Sequence, residues 1–183
     1  MRSVGSRLER VAPEVATQVH GRQQTVIHGD AKIANFFFRE PEGPPGMPEV
    51  GLIDFQWSGP GLAAVDVAYC IWASASLEVL AEDGGEARLV AAYHSSLVEA
   101  LAAAGLAGDG ILPLAAFERE YELALLDLAR VVVGEHWKTA TPESLEARRG
   151  ELTFAAYNKC PRLACRLMRR VADALARYDG GGG

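Results

Sequence analysis

The sequence predicts an α+β fold that is mostly helical, with a short β-hairpin near its start. Three observations carry that expectation. Short apolar runs rich in Val, Ile and Phe stand at Thr25–Ile27, Phe36–Phe38 and Val50–Ile53, and runs of this length read as buried strands. The prolines and glycines between Arg39 and Glu49 join the second and third runs as an antiparallel hairpin across a surface loop. From Leu62 onward the apolar residues recur three and four apart, the spacing of one helix face.

Taken in order, residues 4–19 form a helix with Val4, Leu8, Val11, Val15 and Val19 on one face, interrupted or begun at Pro13. His20-Gly21-Arg22 ends it and Thr25–Ile27 is the first strand. Gly59-Pro60-Gly61 reads as a turn that permits unusual backbone angles. Leu62–Leu80 reads as one helix with Val65, Ala68, Tyr69 and Trp72 inward, and Glu82–Gly85 turns the chain. A helix from Glu86 to Ala104 carries Val90, Tyr93, His94, Leu97, Val98 and Leu101 on one side and stops at Gly105. His94 on that apolar face belongs to the core. After a turn at Ala107–Ile111, Pro113 opens a helix reaching Lys138. Its buried stripe is Phe117, Tyr121, Ala124, Leu125, Leu128 and Val132, and Glu118, Glu122, Asp127 and Arg130 form a solvated face. Thr141-Pro142 starts another helix. The last helix, Pro161–Tyr178, turns Leu163, Leu167, Val171 and Leu175 inward and its arginines to water. Residues 1–179 read as one unit and 180–183 as a disordered tail.

Hydrophobic residues make up 49% of the 183 and charged residues 23%, ordinary for a globular chain that buries a core. A net charge of −6 argues against a nucleic-acid binder, which needs a basic face. It leaves nucleotide binding open, because Mg²⁺ and a local lysine neutralise a triphosphate. No apolar run reaches the length of a membrane span, and no secretory core follows Met1. The cysteines Cys70, Cys160 and Cys165 are odd in number and lack zinc spacing. The expectation is a cytoplasmic chain in a reducing compartment, with neither membrane nor nucleic acid as partner.

The chemistry concentrates in His28-Gly29-Asp30-x4-Asn35 and Ile53-Asp54-Phe55. Each apolar run ends in a carboxylate, which is costly to place there without a cation or donor. Phosphoryl transfer needs this inventory. Mg²⁺ takes one or two carboxylates together with substrate phosphates, while a further carboxylate orients the attacking hydroxyl and accepts its proton. The kinase pattern sets the base Asp five positions before a metal-binding Asn and a second metal-binding Asp on a later strand end. Taken alone, Asp30 and Asn35 are common turn residues; the offset, the strand that follows and Asp54 together favour the site. Ser58 lacks the Gly-x-Ser-x-Gly elbow, and Glu135-His136 lacks the second histidine of a zincin. His28 has no metal-spaced partner, and Asp66 in the first turn of its helix suits the helix dipole.

Three stretches carry a further likeness: His28-Gly29-Asp30-Ala31-Lys32-x-x-Asn35-x-x-Phe38, Leu52-Ile53-Asp54-Phe55-Gln56 and Gly59-x-Gly61-x4-Asp66-Val67-Ala68-Tyr69. Through them the chain resembles the C-terminal half of the aminoglycoside phosphotransferase and choline kinase-like superfamily, closest to its ecdysteroid-kinase-like (CHK kinase-like) group. The resemblance covers Thr25–Ser76 and implies the C-terminal lobe of the protein kinase-like fold, with the hairpin carrying the catalytic loop. It implies Asp30 as catalytic base, Asn35 and Asp54 as Mg²⁺ ligands, and His28 and Asp66 as structural supports of the loop. Lys32 would approach the transferred phosphate. ATP and a small hydroxyl-bearing molecule are the implied substrates, and helices of the second half would line the acceptor pocket. Asp127, Arg130, His136 and Trp137 are the candidates for substrate contact there.

The same kinase pattern includes a Gly-rich loop over the phosphates and a strand lysine paired with a helix glutamate. Residues 1–27 contain no Gly-x-Gly-x-x-Gly and no lysine. The expectation is that the nucleotide-binding N-terminal lobe is missing from this chain and belongs to the same gene product. The isolated chain would then be inactive or nearly so, because this chemistry depends on positioning and electrostatics. Two readings stand: the catalytic lobe of an ATP-dependent small-molecule kinase, or a non-catalytic kinase-like helical module that binds a metabolite or protein partner. The acceptor is not legible, since pocket shape decides it.

Overall fold

Apolar residues three and four apart commit most of this chain to helices that bury one face each in a shared core. A computed structural model describes residues 4–19, 24–40, 46, 48–106 and 112–180. Its elements are α1 (Val4–Val19), β1 (Gln24–Ile27), β2 (Phe36–Arg39), β3 (Glu49–Leu52), β4 (Gly59–Leu62), α2 (Ala63–Ser74), α3 (Leu77–Ala81), α4 (Gly85–Ala103), α5 (Leu114–Val131), α6 (Pro142–Glu146) and α7 (Pro161–Gly180). Single 3₁₀ turns lie at Ile33–Asn35, Phe55–Trp57 and Ala156–Asn158, and a π turn spans Val132–His136. The fold is α+β and mostly helical, as the sequence predicts.

The core forms where α5 crosses α2 and α1. Ala64, Ala68 and Trp72 of α2 meet Phe117, Leu125 and Ala129 of α5 in a cluster closed by Leu8 and Val11 of α1. Leu163, Leu167, Val171 and Leu175 of α7 are fully buried, as their spacing predicts. Each buried Phe or Leu of this kind contributes about 1.5–3 kcal/mol relative to exposure. His94 lies in the core, its Nε2 2.8 Å from the Leu112 carbonyl oxygen and its ring tilted against Phe117. Thr141 and Ser144 form the capping box that starts α6.

Two small antiparallel sheets precede the helices. β2 pairs with β3 in the expected hairpin, Phe36 opposite Leu52 and Arg39 opposite Glu49. β1 pairs with β4, Gln24 opposite Leu62 and Ile27 opposite Gly59. The second pairing corrects the turn expected at Gly59-Pro60-Gly61. Gly61 makes it possible, since a Cβ there would stand 2.7 Å from Ile27 Cδ1, and an edge strand tolerates Pro60.

Other expectations are revised as well. The strands are not buried: Val26 is 81% exposed, Phe37 60% and Val50 51%. Each sheet has only two strands, and no described residues cover their outer faces. The helix expected over Leu62–Leu80 breaks at Ala75-Ser76, where the Ser76 hydroxyl accepts from Val79 N–H and caps α3. The helix expected to reach Lys138 leaves α geometry at Val131. The arginines of α7 are not all in water either. Arg170 donates to Glu86 and Glu122, Arg177 donates to Glu122, and the Tyr121 hydroxyl donates to Glu86 at 2.9 Å. Packing of α4, α5 and α7 brings these groups together, so Glu122 is paired rather than solvated.

Gly180 is the last residue of α7 rather than the start of a tail. The expected helix end at 20–22, most of the 39–49 loop, the turn at 107–111 and residues 181–183 lie outside the described residues. Among the described residues no helix is long and apolar enough to cross a membrane.

Candidate functional site

The loop between β1 and β2 is shaped by helix α2 beneath it. Asp66, in the first turn of α2, accepts hydrogen bonds from the backbone N–H of His28 at 2.5 Å and of Gly29 at 2.9 Å. Two helical turns on, Ser74 Oγ accepts from Ile33 N–H at 2.8 Å. The loop is therefore gripped at both ends by one face of one helix. Gly29 adopts φ +81° and a Cβ there would overlap the Trp57 carbonyl oxygen, so the position requires glycine. His28 Nδ1 accepts from Asp30 N–H at 3.3 Å, which leaves Nε2–H to donate to the Ile53 carbonyl oxygen at 2.8 Å. That buried ring ties the loop to the end of β3.

Asp30 stands at the centre of this loop. Its Oδ2 accepts from Lys32 Nζ at 2.7 Å and from Asn35 Nδ2 at 3.0 Å, and Asn35 Nδ2 also donates to the Asp30 carbonyl oxygen at 2.8 Å. Burial pushes the carboxyl up, but hydrogen-bonding interactions with Lys32, Tyr69 and Asn35 outweigh it and hold Asp30 below the usual carboxylate value. Ile53 N–H donates to the Asn35 carbonyl oxygen at 3.1 Å, which brings Asp54 alongside. Asp54 has φ 66°, the one non-glycine residue with positive φ among the described residues. An aspartate tolerates that region better than most residues, but still at a cost. Its carboxylate makes no hydrogen bond or ion pair among the described residues, and Asn35 Oδ1 is likewise uncommitted. Of the two, Asp54 lines the cleft, while Asn35 lies buried beneath Asp30; both carry oxygens of the type a hard cation takes. Among the described residues no three His, Cys, Asp or Glu side chains converge as a metal cluster. Mg²⁺ that completes its shell with phosphates and water needs no such cluster.

Asp30, Lys32, Asp54 and Asp66 line a cleft of about 810 Å³. Its opposite wall is built from Ala124, Asp127 and Leu128 of α5, His136 of the π turn, and Arg148, Phe154, Tyr157 and Asn158 from the stretch before α7. Tyr69 joins the two walls. Burial first, then Tyr157 and Asp30, push its hydroxyl well above the ordinary phenol value; burial does the same to Tyr157. Both phenols stay protonated beside the Asp30 carboxylate.

The model of the ecdysteroid kinase-like family matches residues 3–106, more than half of the chain. The chain belongs to the ecdysteroid kinase-like family. Membership supports a kinase-type transferase. No curated protein and no solved structure matches the chain.

Within this ecdysteroid kinase-like chain, the six residues predicted from sequence fall in one neighbourhood. Asp30, Lys32, Asp54 and Asp66 face the cleft, while Asn35 lies buried under Asp30 and His28 behind the loop. Of the substrate-contact candidates, Asp127 and His136 line the cleft. Arg130 turns aside to pair with Asp127 at 2.8 Å, and Trp137 donates to Asn158 Oδ1 at 2.8 Å behind the wall. The periodicity sets Tyr69 in a helix stripe and gives it no part in the site, although its place three residues after Asp66 puts it on the same face. Arg148, Phe154, Tyr157 and Asn158 were not singled out, because the stretch around them has no periodicity to read.

Proposed function

We propose that this ecdysteroid kinase-like chain is the C-terminal catalytic lobe, over residues 1–179, of a cytoplasmic ATP-dependent kinase acting on a hydroxyl of a small molecule. A separate nucleotide-binding lobe supplies the roof over the phosphates. The observation that carries this reading is the arrangement around Asp30, a carboxylate held by Lys32 and Asn35 beside the uncommitted Asp54 in one cleft.

In this reading Asp30, ionised at neutral pH because its pKa is lowered, takes the proton of the acceptor hydroxyl. The acceptor oxygen forms a bond to the γ-phosphorus as the bond to the bridging oxygen breaks, and ADP leaves. Lys32 keeps Asp30 aligned and offers the transferred phosphoryl group a positive charge. Asn35 and Asp54 would hold Mg²⁺, which when bound neutralises the phosphate oxygens. Asp66 and His28 keep the loop in shape for the transfer.

Immunoblotting with intact mass spectrometry of the native polypeptide identifies the chain to assay. In that full-length product Asp30→Asn should lower kcat by roughly 10²–10⁴, the usual contribution of a general base, with Mg·ATP binding retained. Asp54→Ala should weaken Mg²⁺-dependent nucleotide binding. Full phosphotransfer activity in both variants would overturn the assignment.

A further inference from the structure

We propose that His136 is an oriented hydrogen-bond donor of the cleft, its Nε2–H fixed by Trp137 and Asn158 to hold an uncharged oxygen of the acceptor. The word acceptor rests on the kinase reading; the donor itself does not.

The indole N–H of Trp137 can only donate, and it lies 2.8 Å from Asn158 Oδ1. That contact decides which way the carboxamide points. The Asn158 amide nitrogen, also only a donor, is left 3.4 Å from His136 Nδ1. Nδ1 must therefore accept, and the proton of the neutral ring sits on Nε2. Asn158 is 7% exposed, so reversing its amide would set its buried NH₂ against the half-buried indole N–H. An unmade pair of that kind disfavours the reversed form by about 10-fold.

The His136 ring, itself exposed, has an aromatic backing. His136 stacks on Tyr157 at 6.2 Å with 15° between the planes, and Trp137 meets the same ring edge-on. Tyr157 is fully buried and gives a rigid platform. The π turn makes the arrangement possible: Trp137 N–H bonds the Val132 carbonyl oxygen at 2.9 Å, and the wider turn brings consecutive side chains onto one small wall. Such turns recur at functional sites.

His136 lines the same cleft as Asp30. With Nδ1 engaged, Nε2–H is the polar group its ring can offer there. An ammonium brings only donors and gains nothing from it. An anion would meet four aspartates in this cleft, Asp30, Asp54, Asp66 and Asp127, against two cations, Lys32 and Arg148. A carbonyl, ether or hydroxyl oxygen meets neither difficulty.

The test uses the chain alone. Long-range ¹H–¹⁵N spectra of histidine-labelled protein, assigned with His136→Gln and recorded where the ring is neutral, should show a bare Nδ1 and a protonated Nε2. Asn158→Asp should invert that pattern, since a carboxylate accepts from both the indole and Nδ1–H. Trp137→Phe, which serves if the buried aspartate prevents folding, should leave a mixture of tautomers. Cyclohexanone should shift the Nε2–H signal and cyclohexylammonium should not. A wild-type ring protonated on Nδ1, a tautomer indifferent to Trp137→Phe, or a signal that the ketone does not move would each overturn the proposal. None of these readouts involves ATP. Absence of ATP-dependent phosphotransfer in the full-length product would remove the kinase reading and leave the His136 result standing.

Discussion

Replacing Asp66 by asparagine strikes the grip of α2 on the Asp30 loop at a single atom. The carboxylate accepts from two backbone donors, His28 N–H at 2.5 Å and Gly29 N–H at 2.9 Å. An asparagine keeps one acceptor oxygen and turns an NH₂ toward the other donor. One charge-assisted hydrogen bond is lost, which nets about 1.5–3 kcal/mol. The cost falls mainly on whichever amide is left unpaired away from water, and His28 is the more buried of the two. Local opening should therefore become easier by a factor of roughly 10–100, taking about 1.4 kcal/mol per tenfold. Amide hydrogen exchange followed by NMR reads this directly, as faster exchange at His28 and Gly29. Ile33 N–H, held independently by Ser74 Oγ at 2.8 Å, is the internal control and should keep its protection. Unchanged exchange at His28 and Gly29, or equal acceleration at Ile33, would refute the idea of two separate anchors.

Two further outcomes follow from the same loop. Gly29→Ala should lower the urea midpoint, because a left-handed alanine costs about 1–2 kcal/mol before its Cβ meets the Trp57 carbonyl oxygen; an unshifted midpoint would contradict the close approach. Asp30 has a folded pKa lowered by Lys32, Tyr69 and Asn35 against the upward push of burial. Its contribution to stability is thus fully present above the unfolded value of about 3.9 and is lost as pH falls through the lower folded value. The stability gap between wild type and Asp30→Asn should shrink on acidification from about pH 5, measured by urea unfolding at stepped pH; a widening gap would show the sign to be wrong.

The neighbourhood of Asp30 was legible because its determinants are local. A strand end, a glycine and a five-residue offset to Asn35 lie within one short stretch, and the hairpin alone brings Asp54 back beside them. Asp66 was legible in its helix turn, but its bonds to His28 and Gly29 N–H were not, since they span 38 and 37 positions. The exposure of Phe37 and Val50 was not legible, since an apolar run says that a strand forms and not what covers it. At Gly59-Pro60-Gly61 residue preference pointed to a turn, and the ladder to β1 overrode it. The far wall was the least readable part. His136 and Asn158 lie 22 positions apart with no shared period, and Arg170 reaches Glu86 across 84 positions. Only tertiary packing brings such residues into contact, of two turns for His136 and Asn158 and of α7 near α4 for Arg170 and Glu86.

The cleft is a seam between two stretches of sequence. One wall, Gly29 to Tyr69, lies within the span that matches the family; the other, Ala124 to Asn158, lies downstream of it. If the proposed kinase reading holds, reactivity and choice of molecule have separate addresses on the chain. Exchanges at Arg148 or Phe154 can reshape the guest list without touching any partner of Asp30. Tyr69 has no such freedom, because it borders Asp30 on one side and Tyr157 on the other. On that reading such a chain would diversify in what it selects while staying constant in what it does, with Tyr69 at the boundary.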